Sequence, residues 1–249
     1  MHYGGFIGAT LYSSYVSIGN YYFYSRMEKT KTALVLGATG LTGRQCLDLL
    51  LESEQYAKVI ALVRTAPELQ NDKLQSLVVD FNRLDDYASQ IAADDIYCCI
   101  GTTIGKAGSQ GAFRHVDFEI PLKVAEIAKA NGATKFILVS SVGADSRSLV
   151  FYSRVKGELE SALKKLKYPS LLIFRPSILL GNRKEKRAGE AIGRYVAQKM
   201  PFIFSGALRK YRGTPVNLLA QAMLAEATEP AQGTRVIEND EIFTIAGNQ

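Results

Sequence analysis

Tyr152 and Lys156 stand four residues apart in Tyr152-Ser-Arg-Val-Lys156, and that spacing stacks them on one face of a helix. An ammonium beside a phenol favours the phenolate. The pair reads as proton-transfer machinery: Tyr152 acts as a general acid for a carbonyl being reduced, or as a base for an alcohol being oxidised. Upstream, Lys135-Phe-Ile-Leu-Val-Ser140-Ser141 reads as a strand ending in two hydroxyls. One of them is expected to hydrogen-bond the substrate oxygen. Ser141, which has just left the strand, is favoured for that role.

The electron carrier is announced earlier in the chain. Thr32-Ala-Leu-Val-Leu-Gly37-Ala-Thr-Gly40-Leu-Thr-Gly43 is an apolar run emptying into three spaced glycines. Ala33 to Leu36 suit a buried strand, and Leu41, Leu47 and Leu50 continue as a helix. Gly37 allows the tight turn, Gly40 a close ligand, and Gly43 the packing of helix on strand. The helix start offers free backbone amides and a positive dipole end, which suit a pyrophosphate. Thr39, Leu41 and Thr42 fill out this loop and count with it as cofactor residues. Lys156 would then also reach the nicotinamide ribose.

The second apolar run, Val59-Ile-Ala-Leu-Val63, is followed by Arg64 and Thr65, with no acid between Lys58 and Pro67. An NAD site usually carries an acid there for the ribose 2′-hydroxyl. Arg64 instead offers a fork of donors for a 2′-phosphate, so NADP(H) is favoured over NAD(H). Leu77-Val-Val-Asp80-Phe81 reads as a third strand ending in an acid, and Asp80 would meet the adenine amino group with Phe81 beside the ring. A structural turn is an equally good role for Asp80. Strand Ile96 to Ile100 leads into a Gly/Thr/Lys-rich loop, Gly101 to Gly111. Ligands lie beyond the carboxyl ends of such strands, so Gly101, Thr102 and Thr103 are expected to face the cofactor.

These motifs together resemble the short-chain dehydrogenase/reductase superfamily, in its extended or atypical form. More narrowly, the chain is similar to the Tat-interacting-protein-like NADPH-binding oxidoreductases and their small bacterial relatives. The resemblance rests on Gly37 to Gly43, Cys99-Ile-Gly101-Thr102-Thr103, Phe113-Arg-His-Val-Asp117 and Ser140-Ser141. It continues through Tyr152-x-x-x-Lys156-Gly-Glu-Leu-Glu160 and Phe174-Arg-Pro-Ser177-Ile-Leu-Leu-Gly181. It implies a Rossmann fold, NADP(H), and a Ser141/Tyr152/Lys156 catalytic set, with Ser140 and Pro176 among the residues near the cofactor. It implies no particular substrate.

Helices and strands alternate along the chain, which predicts a doubly wound parallel α/β sheet. Pro121 to Lys129 has helical spacing, Leu171 to Phe174 is a further strand that Pro176 ends, and a helix is expected around Val216 to Ala227. A short apolar run, Ile242 to Ala246, closes the domain. Residues 27–249 are read as one domain, with 176–212 as a small substrate-side insertion. Residues 1–26 are rich in tyrosine, glycine and serine, with no Asp, Glu, Lys or Arg before Arg26. They lack the basic start and aliphatic core of a signal peptide. Translation is expected to start at Met27; the alternative is a leader whose tyrosines pack on the domain or on a second copy.

Hydrophobic content of 47% and charged content of 22% are ordinary for a globular enzyme. Cys46, Cys98 and Cys99 form no spaced pair, and Cys98 and Cys99 sit in an apolar run, so buried thiols in a reducing, cytoplasmic setting are expected. No stretch approaches the roughly 20 apolar residues of a membrane span. From Arg175 to Arg212 ten Lys/Arg face only Glu185 and Glu190, a balance of +8 within a chain of +6. Such a lobe favours an anionic small-molecule substrate, such as a nucleotide sugar or a coenzyme A thioester. The plain alternative is a solvated turn at Arg183 to Arg187, with Arg187 and Glu190 paired along a helix. No aromatic platform interleaves the charges, which argues against nucleic acid. A homodimer is left open. Two function classes follow: an NADP(H)-dependent oxidoreductase, with an epimerase or dehydratase as its chemical variant, and an NADPH-sensing binding protein with slight turnover.

Overall fold

The computed structural model describes residues 31–181, 211–230 and 233–247. The readings made on 1–26, on Arg183 to Arg187 and on most of the 176–212 insertion lie outside these residues.

A seven-stranded, wholly parallel sheet organises the chain. Its strands are β1 (Lys31–Leu36), β2 (Tyr56–Val63), β3 (Leu74–Val78), β4 (Asp95–Cys98), β5 (Lys135–Val139), β6 (Ser170–Arg175) and β9 (Gly233–Glu238). They lie in the order β3-β2-β1-β4-β5-β6-β9. A separate two-residue pairing joins β7 (Leu179–Leu180) to β8 (Thr214–Pro215). The expected doubly wound fold is present. Strand order reverses between β1 and β4, and that is where such sheets open a crevice for ligands.

Both faces are covered, as side-chain alternation requires. Ala33 and Val35 of β1 face one core, with Leu47 and Leu50 of α1 (Leu41–Glu52), Leu219 and Met223 of α6 (Val216–Thr228), and Ile242 of α7 (Asn239–Gly247). Leu34 and Leu36 face the other, with Val124 and Ala128 of α4 (Ile120–Ala130) and Leu159 and Leu163 of α5 (Phe151–Lys165). Each such large aliphatic side chain, fully removed from water, contributes about 1.5–3 kcal/mol.

Two elements depart from the sequence reading, and one strand adds to it. β3 spans Leu74–Val78, so Asp80 and Phe81 lie in the turn after it. There Asp80 Oδ1 accepts from the Asn82 amide (2.9 Å) and side chain (3.0 Å), the local turn that a short carboxylate favours. The segment Gly101 to Gly111, read as a loop, contains two short helices, α2 (Ile104–Ala107) and α3 (Gln110–Arg114). Their N-caps are Thr103, accepting from the Lys106 amide, and Ser109, accepting from the Ala112 amide. The apolar run Ile242 to Ala246 belongs to α7, and strand β9 precedes it.

Candidate functional site

The glycine loop has the geometry its spacing predicts. Gly37 adopts a φ of +87°, and a side chain there would also press on the Ile100 amide at 2.7 Å. A methyl group at Gly43 would collide with the Gly37 carbonyl oxygen, so α1 can approach the β1 turn this closely only without one. Gly40 is the N-cap of α1 and brings no capping side chain, and the first turn contains no acid. Its leading amides are therefore not satisfied by a side-chain cap. This cradle fits a diphosphate.

Two adjoining cavities of about 580 and 700 Å³ open over the strand ends, sharing Thr39, Gly40, Cys99, Ile100, Gly101, Thr102 and Lys106. The larger is lined by Gly37, Arg64, Asp80, Phe81, Asn82 and His115 among others. Arg64 and the Asp80-Phe81 pair, read separately from the sequence, thus meet in one lobe with the glycine loop. The other lobe adds Leu41, Thr42, Arg44, Gln45, Asp117, Ser140, Tyr152, Lys156 and Leu179. A shallower hollow of about 460 Å³, lined by Ser53, Gln55 and residues of α6, lies near where β2 begins and gathers no such set.

Tyr152 and Lys156 lie on α5 as expected, and both line the second lobe. The Tyr152 ring leans on the buried Phe113, centroids 5.7 Å apart at 49°. Lys156 is not a free ammonium. Its Nζ lies 2.7 Å from Oδ1 of Asp117, whose side chain is wholly buried, while the lysine side chain keeps 6% exposure. Asp117 Oδ2 accepts from the Thr102 amide at 2.8 Å. Burial alone would push the lysine down, but the carboxylate beside it prevails and holds its pKa above the ordinary value. Asp117 sits in a π-helical turn, His115–Glu119, between α3 and α4. Gly101 lies over the pair, where a Cβ would come within 3.3 Å of Asp117 Oδ1. Sequence reasoning quoted Asp117 only as part of a motif and gave it no role.

The two serines separate. Ser140 lines the lobe, but its hydroxyl donates to Glu160 Oε1 at 2.6 Å. Glu160, one turn beyond Lys156, also receives Arg175 Nε (3.0 Å) and Nη2 (2.6 Å), and Arg175 reaches Glu238 at 2.9 Å. These four residues lock β5, α5, β6 and β9 together at their site ends. Arg175, one of the ten cations assigned to a basic lobe, is instead part of this internal network; Arg212, another, stacks over Phe243 at 3.3 Å from its centroid. Ser141 is half-buried outside the cavity lining, and its Oγ donates to the Val142 carbonyl at 3.3 Å. Gly43, Thr103 and Pro176 also lie outside the lining: Gly43 packs under the loop, Thr103 caps α2, and the Pro176 carbonyl accepts from the Val142 amide.

The thiols are unpaired and largely buried: Cys46 and Cys98 are buried, and Cys99 is half-buried on the cleft with its Sγ 3.8 Å from that of Cys46. Burial pushes the Cys98 thiol up to about 12. Among the described residues no helix is long and apolar enough to cross a membrane.

A family described as NAD(P)H-binding matches residues 37–171, which span the glycine loop, the Asp117 turn and the Tyr152/Lys156 helix. Protein HTATIP2 of Rattus norvegicus is 37% identical over 222 residues, covering 87% of this chain and 90% of that protein. Protein FMP52-1, mitochondrial, of Scheffersomyces stipitis is 33% identical over 193 residues, 76% of this chain and 80% of its own length. Among solved structures, MoeE5 in complex with UDP-glucose and NAD superimposes with a TM-score of 0.64 at 15% identity, over 87% of this chain and 81% of that one. That likeness is one of fold. The expectation of a cytoplasmic protein is overturned by the fungal relatives, which are named as mitochondrial proteins in several species. Buried thiols, on which that expectation rested, do not name a compartment.

Proposed function

We propose a function from a premise of family: the chain belongs to the NAD(P)H-binding family, and we read its cleft as that of an NADP(H)-dependent oxidoreductase of the short-chain dehydrogenase type. It would reduce a carbonyl or oxidise an alcohol on a small, anionic substrate. The observation that carries this reading is the continuity of the two lobes. A glycine cradle with Arg64 runs through shared residues into a lobe holding Tyr152, Lys156 and Asp117. When bound, the cofactor supplies the hydride.

The first-turn amides of α1 would hold the diphosphate, and Arg64 the 2′-phosphate, with Phe81 beside the adenine. Lys156 would bind ribose hydroxyls and keep positive charge beside Tyr152. Tyr152 would deliver a proton to the substrate oxygen as charge develops on it. Arg44 and Lys106 on the same lobe support an anionic substrate. Ser141, which adjoins the lobe next to the lining residue Ser140, is assigned to the oxygen on donor accounting. A hydroxyl has one proton to donate, and Ser140 gives its own to Glu160, while Ser141 makes only a 3.3 Å contact that substrate would replace.

The test follows NADPH oxidation, by loss of its fluorescence, across a panel of aldehydes and ketones bearing carboxylate or phosphate groups. Wild type is expected to turn over at least one of them. Ser141→Ala should lower kcat on that substrate about 100-fold, the scale of one lost oxyanion donor, with NADPH affinity kept. A wild-type protein that binds NADPH and turns over nothing on the panel would contradict the enzyme reading and favour a cofactor-responsive binding protein.

A further inference from the structure

We infer that Asp117 sets how the cleft discriminates oxidised from reduced cofactor, by cancelling the charge of Lys156 in the lobe that would take the nicotinamide. This rests on the cofactor placement proposed above. Oxidised and reduced nicotinamide dinucleotides share their phosphates, ribose and adenine; they differ in the ring, which carries a positive charge only when oxidised. Whatever charge the protein holds in that lobe therefore acts on the ratio of the two affinities.

The lobe has an uneven charge inventory. Arg44, Lys106 and Lys156 bring three cations to its lining, and Asp117 is the one acid among the described residues there. Arg44 pairs with Asp48 at 3.3 Å, out on the exposed face of α1. The groups that face Lys156 are Asp117 from the π-helical turn, Tyr152 on its own helix and Cys98 from β4. Of these the Cys98 thiol is neutral, since burial pushes it up to about 12. Among the described residues, Asp117 is thus the only neighbour that carries a full opposing charge. It lies 2.7 Å from the ammonium, completely buried, and is fixed from its other oxygen by the Thr102 amide. Water screens neither member of such a pair well, so the loss of one charge would be felt at the ring. A carboxylate serving only to hold α5 against the turn would need no such position on the cavity wall.

Three proteins decide the matter: wild type, Asp117→Asn and Lys156→Met, each titrated with NADPH and NADP+ by calorimetry at pH about 6 and about 9. Asn keeps an acceptor for Thr102 but removes the negative charge. Asp117→Asn should raise the ratio of Kd for NADP+ to Kd for NADPH by at least about tenfold at the lower pH, the effect of one charge about 12 Å away at an effective dielectric of about 20. The shift should fade at the higher pH as the uncompensated buried lysine gives up its proton. Lys156→Met removes the opposite charge and should move the ratio the other way. Should Asp117→Asn fail to fold, the Lys156→Met ratio still decides. Simple structural damage would weaken both nucleotides together. Ratios unchanged in the folded variants at both pH values overturn the inference while leaving the proposed function standing. Wild type that binds neither nucleotide overturns both.

Discussion

Tyr152→Phe is expected to bind NADPH within about twofold of wild type and to lose carbonyl reduction by about 100- to 10,000-fold, the range for a positioned acid. The substitution removes one oxygen and keeps the ring, so the packing on Phe113 survives. The Lys156–Asp117 pair does not need the phenol either, because its contacts run to each other and to Thr102. Affinity should therefore separate cleanly from turnover. Steady-state rates on whichever carbonyl wild type accepts, together with an NADPH titration, check this. A variant with more than about a tenth of wild-type kcat would remove Tyr152 from the proton-transfer role.

Glu160→Ala should destabilise the fold by about 3 kcal/mol, read as a shift in the urea unfolding midpoint, because it leaves buried partners behind. The glutamate side chain is only 3% exposed, and it accepts three hydrogen bonds, one from Ser140 and two from Arg175. Arg175 keeps Glu238, which limits the loss; its side chain is 22% exposed and so is not stranded completely. Glu160→Gln keeps an acceptor for Ser140 and should lose less than half as much. Equal stability of wild type and Glu160→Ala would show that the network is spectator to folding. With its proton no longer taken by Glu160, Ser140 also becomes a free donor at the lobe, so turnover lost in Ser141→Ala should be partly recovered in the double variant.

Much of this arrangement was legible in the residues. The β1 run, the three glycines and the α1 leucines report strand, turn and helix because each is purely local chemistry. Tyr152 and Lys156 were legible for the same reason, being one helical turn apart. Strand β9 was not: Gly233, Thr234 and Glu238 make it polar and only Ile237 is fully buried, so it carries little of the apolar signal of a central strand. Thr103 was read as facing the ligand, yet its hydroxyl caps α2; a threonine followed by a short helix had that competing use from the start.

Asp117 was the larger omission, and a signal for it existed. Phe113, Asp117, Ile120 and Val124 recur at spacings of four, three and four, which sets an acid on an apolar stripe. Val155, Lys156, Leu159 and Leu163 set a lysine on the stripe of the next helix. A carboxylate and an ammonium on facing buried stripes ought to be read as partners, since neither is stable there alone. Glu160 and Arg175 obey the same rule one turn further on. Spacing within one helix sets each residue on its stripe, and the partner comes into view only when two elements are read together, because both pairs are made between elements. The charge of the substrate side was misjudged at Arg175 on the same ground: a count of cations ignores the acids that other elements bring to them, here Glu160 from α5 and Glu238 from β9.

The most direct test of the cofactor assignment is an equilibrium titration of the full chain with NADPH and with NADH, repeated on Arg64→Ala. Wild type should bind NADPH at one site and at least about tenfold more tightly than NADH, and Arg64→Ala should bring NADPH close to the NADH value, the loss of one charge-assisted contact to a phosphate. Equal binding of the two nucleotides by wild type, or no binding of either, would contradict the account.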